Sequence, residues 1–414
     1  MSFFRVGLTT PFYGGDNPAP TYGFGPSEFL GWLPQVKNTL VTIATSDGGS
    51  RKAQFDISIW DPMLQNLQNN WGIRAYEMFV YILYGHHEDP VFWGPIDTPE
   101  WDSEAEIVTL NCVDYSKKMQ QHFFRRGDIP MLHSFKGVIP IGPTGFQDAI
   151  QAARNTTAED DGWFPPLGIK DGTITSVDTT YTIGVERGQE VWQTMLDLQN
   201  NQLGPEFEIV PRKFDPTVPA YYDLNIKDTL GVDRTITTGP DDPVVFQDGF
   251  GAKNVKKTLW KPGGKIVNYV HAVDNAGYRV SVSDTVSAQY VGVWIDWDVA
   301  GFKVPRTTKG AAVLAARGNE ILAAYSYPPD YAEITLKRPS ELFDPKYHFS
   351  YRNHFDLSDT VATSISKGAM QASFASRITE VRLRQLEDSS EVQEEITVIP
   401  DKSRSRGIAA GEDQ

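Results

Sequence analysis

The residues best suited to chemistry lie in "RNHFDLSDTVATSISKG", residues 352–368. Asp356 and Asp359 stand three apart, with an arginine, a histidine and several hydroxyl side chains around them. Two carboxylates at short range can divide general-acid and general-base work, as glycoside hydrolysis requires. The same spacing also builds a turn, because aspartate side chains bond backbone amides a few residues on. No nucleophile with an adjacent base accompanies the pair. The turn is the reading adopted: Asp356 and Asp359 form a corner leading into a strand over "TVATSI", with a second turn at "SKG".

Other motifs fall short of a site. "GVWIDWDVAG", residues 292–301, is similar to the D-x-x-D-x-D-x-E strand of chitinase-like glycosidases. Asp296 and Asp298 match, but Val293 replaces the first Asp and Ala300 stands where the proton-donating Glu belongs. Without a donor the leaving oxygen cannot be protonated, so a strand followed by a turn is expected. In "GHHEDP", His86 and His87 would point opposite ways on an extended chain and make a poor ligand pair. An exposed hairpin turn is expected there. His122, His133, His271, His348 and His354 have no ligand-like spacing. "KPGGK" lacks the first glycine of a phosphate loop, since position 259 is Leu, and "YGFGPSE" lacks the third glycine of a dinucleotide fingerprint. Cys112 shares a strand face with Val108 and Leu110, which suits a buried structural thiol. As the lone cysteine it forms no intrachain disulfide. The expectation is a protein without catalytic, cofactor-binding or metal-binding residues, and not an enzyme.

Composition agrees with a structural role. Of 414 residues, 40% are hydrophobic, 22% charged and 12% aromatic, with ten Trp. That is a globular chain long enough for several domains, with an aromatic content that suits strands and large interfaces. The formal net charge of −15 argues against gripping nucleic acid, which needs a basic surface. The first residues carry no apolar signal-peptide core, and no run is long enough for a membrane helix. A soluble protein made in a cytosol is expected.

The elements that must position these residues follow from periodicity. Residues 1–34, rich in Gly, Pro and aromatics, read as an irregular docking arm. Residues 35–124 alternate with period two through "LVTIAT", "KAQFDISIW", "YEMFVYILYG", "VFWGPID" and "EAEIVTLNCVDY", which predicts a β-barrel. "YEMFVYILYG" is apolar throughout and predicts burial on both faces. A helix is expected over "SKKMQQHFFRR". Residues 125–250 predict an α+β unit, with helices over "GPTGFQDAIQAARNTT" and "VERGQEVWQTMLDLQNN" and a long-looped hairpin of "FEIVPR" and "YYDLNIKD". Residues 251–400 predict a second barrel. It contains a hairpin turning at Asp274–Gly277, a helix about 306–326 weakened by Gly318, and strands over "DYAEITLKRP", "SRITEVRLRQLED" and "EEITVIP". Residues 401–414 read as a disordered tail.

The C-terminal stretch then carries a resemblance. "SDTV" at 358–361 and "RITEV" at 377–381 resemble the "GD-x-V" turn and "RI-x-x-V" strand that end tailed-phage baseplate hub and minor tail proteins, with Ser358 in place of the usual Gly. "GPI" at 94–96 followed by "V-x-L-x-x-x-D" at 108–114 resembles the first barrel of those proteins, and 254–280 resembles the segment entering the second. The order of units from about 35 to 400 is similar to the minor tail proteins of siphophages, particularly those of actinobacteria. The resemblance implies a mainly β fold, two tail-tube-like β-barrel domains flanking a small α+β domain. It implies a homotrimeric hub at the tail tip of the virion, assembled in the host cytoplasm. Implied partners are copies of itself, a distal tail protein or the tail tube, the tape-measure protein and receptor-binding proteins. DNA would pass without specific binding, and no stable membrane insertion is implied.

Two other functions remain open at this point. One is a tail-associated hydrolase of cell-wall glycan. The other is a receptor-binding or carbohydrate-binding module using Trp93 and Trp101 as exposed handles, although rings packed at interfaces are the preferred reading of both.

Overall fold

The computed structural model describes residues 3–9, 29–45, 48–70, 73, 75, 78–114, 116, 136–140, 169–175, 182–186, 190–200, 206–215, 222–227, 230–235, 243–249, 253–261, 266–300, 303–326, 331–344, 347–385 and 391–400. The helices expected over "SKKMQQHFFRR" and "GPTGFQDAIQAARNTT", and the tail 401–414, lie outside them.

The chain is mainly β with α+β insertions. Strands β1 (Phe4–Thr9), β2 (Phe29–Leu33), β3 (Val36–Ala44), β4 (Arg51–Ser58), β5 (Phe79–Tyr84), β6 (Pro90–Asp102) and β7 (Ile107–Val113) come from the N-terminal third, with helix α1 (Pro62–Asn70) between β4 and β5. The insertion follows with β8 (Lys136–Pro140), β9 (Ile169–Ile174), β10 (Thr182–Glu186), α2 (Val191–Asn200), β11 (Glu206–Pro211) and β12 (Tyr222–Lys227). Next come β13 (Val245–Asp248), β14 (Val255–Lys261), β15 (Tyr269–Val273), β16 (Arg279–Ser283), α3 (Thr285–Val291), β17 (Ile295–Val299) and α4 (Thr308–Tyr325). The chain closes with β18 (Tyr331–Leu336), β19 (Thr360–Lys367), β20 (Met370–Gln385) and β21 (Val392–Pro400).

Strands from both segments expected as barrels belong to one 13-stranded sheet. Its order is β14-β18-β21-β20-β3-β4-β7-β6-β5-β1-β2, with β19 on β20 and β13 on β19. The join is β20. Its first half pairs with β19, and its second half lies between β21 and β3, with Glu380–Arg384 opposite 40–44. One buried cluster runs through both segments, from Val6 and Phe55 to Ile378 and Val398. Next to β14, Asn254 reaches across to β13: its Nδ2 donates to the Val245 carbonyl at 2.7 Å, and its Oδ1 accepts from the Gln247 amide at 2.8 Å. The side chain thus bridges the two end strands of β14-β18-β21-β20-β19-β13.

The arm expected over 1–34 is strand at both described ends. β1 pairs antiparallel with β5 and with β2. Val6 and Leu8 are buried in the main core, so alternation inside "FRVGLT" commits it to the sheet despite the Gly- and Pro-rich residues that follow. α1 was not anticipated. Its start is marked by Asp61, whose Oδ1 accepts from the amides of Met63 and Leu64.

β5 is buried on both faces, as its composition predicts. Val80, Ile82 and Tyr84 enter the main core, while Phe79, Tyr81 and Leu83 enter a second cluster with Trp93 of β6 and with Trp192, Phe207 and Leu224 of the insertion. Period-two geometry makes one strand the partition between two cores. In the insertion, β11 and β12 form the expected antiparallel pair, and β9 joins β12 in parallel.

A second α+β unit, built round the helix expected at about 306–326, sits inside the segment expected as the second barrel. β15 and β16 form the hairpin expected at Asp274–Gly277, and the Gly277 amide donates to the Asp274 carbonyl at 3.0 Å. β17 returns parallel to β15, a pairing that local sequence does not announce because parallel strands need a crossover. α4 lies on this small sheet. Gly318 permits the contact: a Cβ there would sit 2.4 Å from Val282 Cγ2. The residue that weakens the helix intrinsically is what lets it pack.

Candidate functional site

The corner 350–360 is built as a turn and fastened on three sides. Arg352 has a positive φ of 66°. Its guanidinium donates to the carbonyls of Asp89 at 2.8 Å and Pro90 at 2.9 Å, tying the loop to the start of β6. The Asp356 amide donates to Asp359 Oδ2 at 2.8 Å, and the Asp359 amide returns to the Asp356 carbonyl at 3.2 Å. Asp359 Oδ1 accepts from the Val232 amide at 2.6 Å, and Oδ2 also accepts from Arg234 Nε at 3.2 Å. Asp359 is buried. Its side chain therefore joins the corner, the start of β19 and the strand-like segment 230–235, which pairs with Thr360 in backbone register. Burial, and next the neighbouring Asp359, push the Asp356 carboxyl above the ordinary range.

This corner lines a cleft of about 1000 Å³ between the main sheet and the insertion. Six cationic and six acidic side chains line it, so it is electrically balanced within a chain of −15. Arg212 pairs with Asp223, Arg234 with Asp359, and Asn225 donates to Glu208. At the rim, Lys213 holds Glu88, whose pKa is lowered by that contact. Buried Arg51 donates through one terminal nitrogen to the carbonyls of Gly49 and Ile209, joining β4 to the insertion. Hydrolysis by paired carboxylates needs one acid with a proton to give and one base with a free oxygen facing substrate. Both oxygens of Asp359 are taken by amides and a guanidinium. The arrangement holds three segments together.

A second clamp uses the arginine of "RITEV". Arg377 forms a two-pronged pair with Glu206 of β11, with one bond at 2.6 Å, and Glu206 Oε2 accepts the Leu230 amide at 2.6 Å. Arg377 thus pins the insertion to β20, a role that the motif gave no sign of.

The remaining candidates are placed as follows. Asp298 receives both a short bond and a 2.8 Å bond from Arg317 of α4, and Ala300 is buried. Within "GVWIDWDVAG" Ile295–Val299 is a strand, and Asp298 is paired. Trp93 is fully buried and donates to Thr9 Oγ1 at 3.2 Å, whereas Trp101 is half exposed on β6. Burial pushes the Cys112 thiol far up. His86 and His87 sit in the β5–β6 hairpin turn after Gly85, which has φ +61°. A turn does not alternate its side chains, so both line one 350 Å³ cavity, together with His348 and His354. His348 and His354 rings meet edge-on at 6.4 Å, and the Ser350 amide donates to His354 Nδ1 at 3.1 Å. Burial lowers the pKa of both. No three His, Cys, Asp or Glu among the described residues are arranged to hold a metal ion.

No family model matches the chain, and no curated protein matches it. Its fold is similar to two solved structures along nearly its whole length. The tail protein from Neisseria meningitidis MC58 is 10% identical, with a TM-score of 0.54 over 96% of this chain and 97% of that one. The 43 kDa tail protein of prophage MuSo2 from Shewanella oneidensis is 12% identical, with a TM-score of 0.55 over 97% and 99%. The chain shares the fold of these tail proteins.

Proposed function

We propose that the chain is a structural protein of a phage tail. In the finer form of this reading it is the central hub of a siphophage tail tip. Three copies form a ring that continues the tail tube, through which the tape-measure protein and DNA pass. The observation that carries it is the whole-chain fold shared with two tail proteins, with coverage of both chains at 96% or more.

The site chemistry supports the same reading. Of the acids that sequence marks out, Asp359 is bound to two amides and a guanidinium and Asp298 to a guanidinium, contacts that fasten segments. A non-enzymatic subunit needs that kind of fastening, because its work is to hold shape under load. An acid-rich chain also suits a conduit for DNA, since it offers the phosphates little to hold.

The test is a particle carrying this chain, with proteins identified by mass spectrometry and the tail resolved by electron microscopy. The expected result is three copies in a ring at the tail tip. Absence from purified particles overturns the tail reading. Six copies, or a peripheral position, overturns the hub and leaves a tail protein of another kind.

A further inference from the structure

β17 is laid inside out. It alternates Ile295, Trp297 and Val299 with Asp296 and Asp298. A strand covered only by its own chain turns the apolar set inward. Here Asp298 faces α4 and Arg317, while Ile295, Trp297 and Val299 are 57%, 58% and 64% exposed.

The strand register extends this face. Tyr269 lies between Ser283 and Ile295, His271 between Ser281 and Trp297, and Val273 between Arg279 and Val299. The rings confirm a shared side: His271 and Trp297 are 4.4 Å apart, and the Arg279 guanidinium lies 5.6 Å over Trp297. None of these nine side chains is acidic, in a chain with 53 acids. The approach to the strand adds Tyr290 at 80%, Val293 at 65% and Trp294 at 54% exposure. With them the stretch presents apolar area on the order of 900 Å², about what one partner gives to a standard interface. β17 pairs only with β15 among the described strands, so its outer backbone edge is open as well.

We propose that this face is the contact for a second copy of the chain. The inference rests on the reading of the protein as an assembly subunit. Its chemistry selects a protein over a sugar: Ile295, Val299 and Val293 offer glycan hydroxyls no hydrogen bond. Its size and lack of acids select a permanent partner, because transient interfaces are about as polar as the rest of a surface. A permanent apolar face must be covered soon after folding or it aggregates, and the partner present at equal concentration is another copy. Two chains of −15 also meet most easily where neither presents an acid.

The test is the mass of the purified full chain by light scattering at about 10 µM, a range in which interfaces of this size hold. Trp297→Glu and Val299→Lys are compared with Trp101→Ser on β6. All three sites are exposed, and circular dichroism checks that each variant is folded. The wild type and Trp101→Ser are expected at a multiple of 46.2 kDa, and the two face variants at 46.2 kDa. Hydrogen exchange should protect the β17 amides that face away from β15 only in the oligomer. A monomeric wild type overturns the proposal, as does a face variant that keeps the oligomer's mass. Glycan binding by a monomer, lost in Trp297→Glu, would give the face to sugar instead. The tail reading fails separately, by absence of the chain from particles.

Discussion

Tyr84 and Glu394 lie 310 residues apart, and the Tyr84 hydroxyl donates to Glu394 Oε1 at 2.5 Å in the core. Glu394 Oε2 accepts the Tyr351 amide at 2.9 Å. One carboxyl therefore links β5, β21 and the corner that carries Asp359. No cation faces it in these contacts, and burial pushes its pKa up to about 7.

A raised pKa means that the folded state holds the proton more tightly than the unfolded chain does. Glu394 therefore costs least below the unfolded pKa near 4.5, and stability falls as pH rises from there to about 7. The loss over that window is about 3 kcal/mol. Glu394→Gln keeps partners for both Tyr84 and Tyr351 and cannot ionise. Urea unfolding at pH 5 and pH 8 should show the variant gaining on the wild type at pH 8. Asp114, raised to about 6 by burial, contributes the same slope to both proteins and cancels in the difference.

Asp359→Ala should cost about 3 kcal/mol, because it removes a buried carboxylate that accepts from the Val232 amide and pairs with the Arg234 guanidinium. Asp359→Asn should cost less, since Oδ1 can still accept from Val232. Urea titration measures both. Incubation with cell walls should release no reducing ends from wild type or variant; release that vanishes in Asp359→Ala would restore the catalytic reading.

Ser358 has φ +73°, the left-handed conformation in which a Cβ is strained. Glycine adopts this conformation without that strain. Ser358→Gly should raise stability by about 0.5–1 kcal/mol, the relief of strain being partly offset by a more flexible unfolded chain. A thermal shift upward supports this, and a fall would mean that the serine makes a contact worth more than the strain.

Gly318→Ala improves helix propensity by about 1 kcal/mol yet drives a methyl into Val282. Overpacking should win, for a net loss of about 1–2 kcal/mol. Gly318→Ala with Val282→Ala should recover part of it, as a double-mutant cycle would read.

Some of the tertiary structure was already written in short-range pattern. Val392, Glu394, Ile396 and Val398 occupy alternate positions and are all buried, so the buried acid was readable from the strand "VQEEITVIP" by parity alone. The same holds for β5, whose unbroken apolar run required two cores, and for the turn at Asp274. β17 shows where parity misleads. Its apolar set is Ile295, Trp297 and Val299, and pattern alone turns it inward.

What the sequence determined by itself is the strands β3 to β7 and β18 to β21, the helices at Val191–Asn200 and Thr308–Tyr325, and the turn role of Asp356 and Asp359. Side-chain alternation and short-range hydrogen bonding encode these within ten residues or so. What only the tertiary structure decided is the joining of both β segments through β20 and β3, and the pairing of Arg377 with Glu206 and of Arg317 with Asp298. It also decided the gathering of four histidines round one cavity and the outward face of β17. Each depends on which distant segment supplies a partner charge or an open edge, and chain separation leaves no periodic mark of that choice.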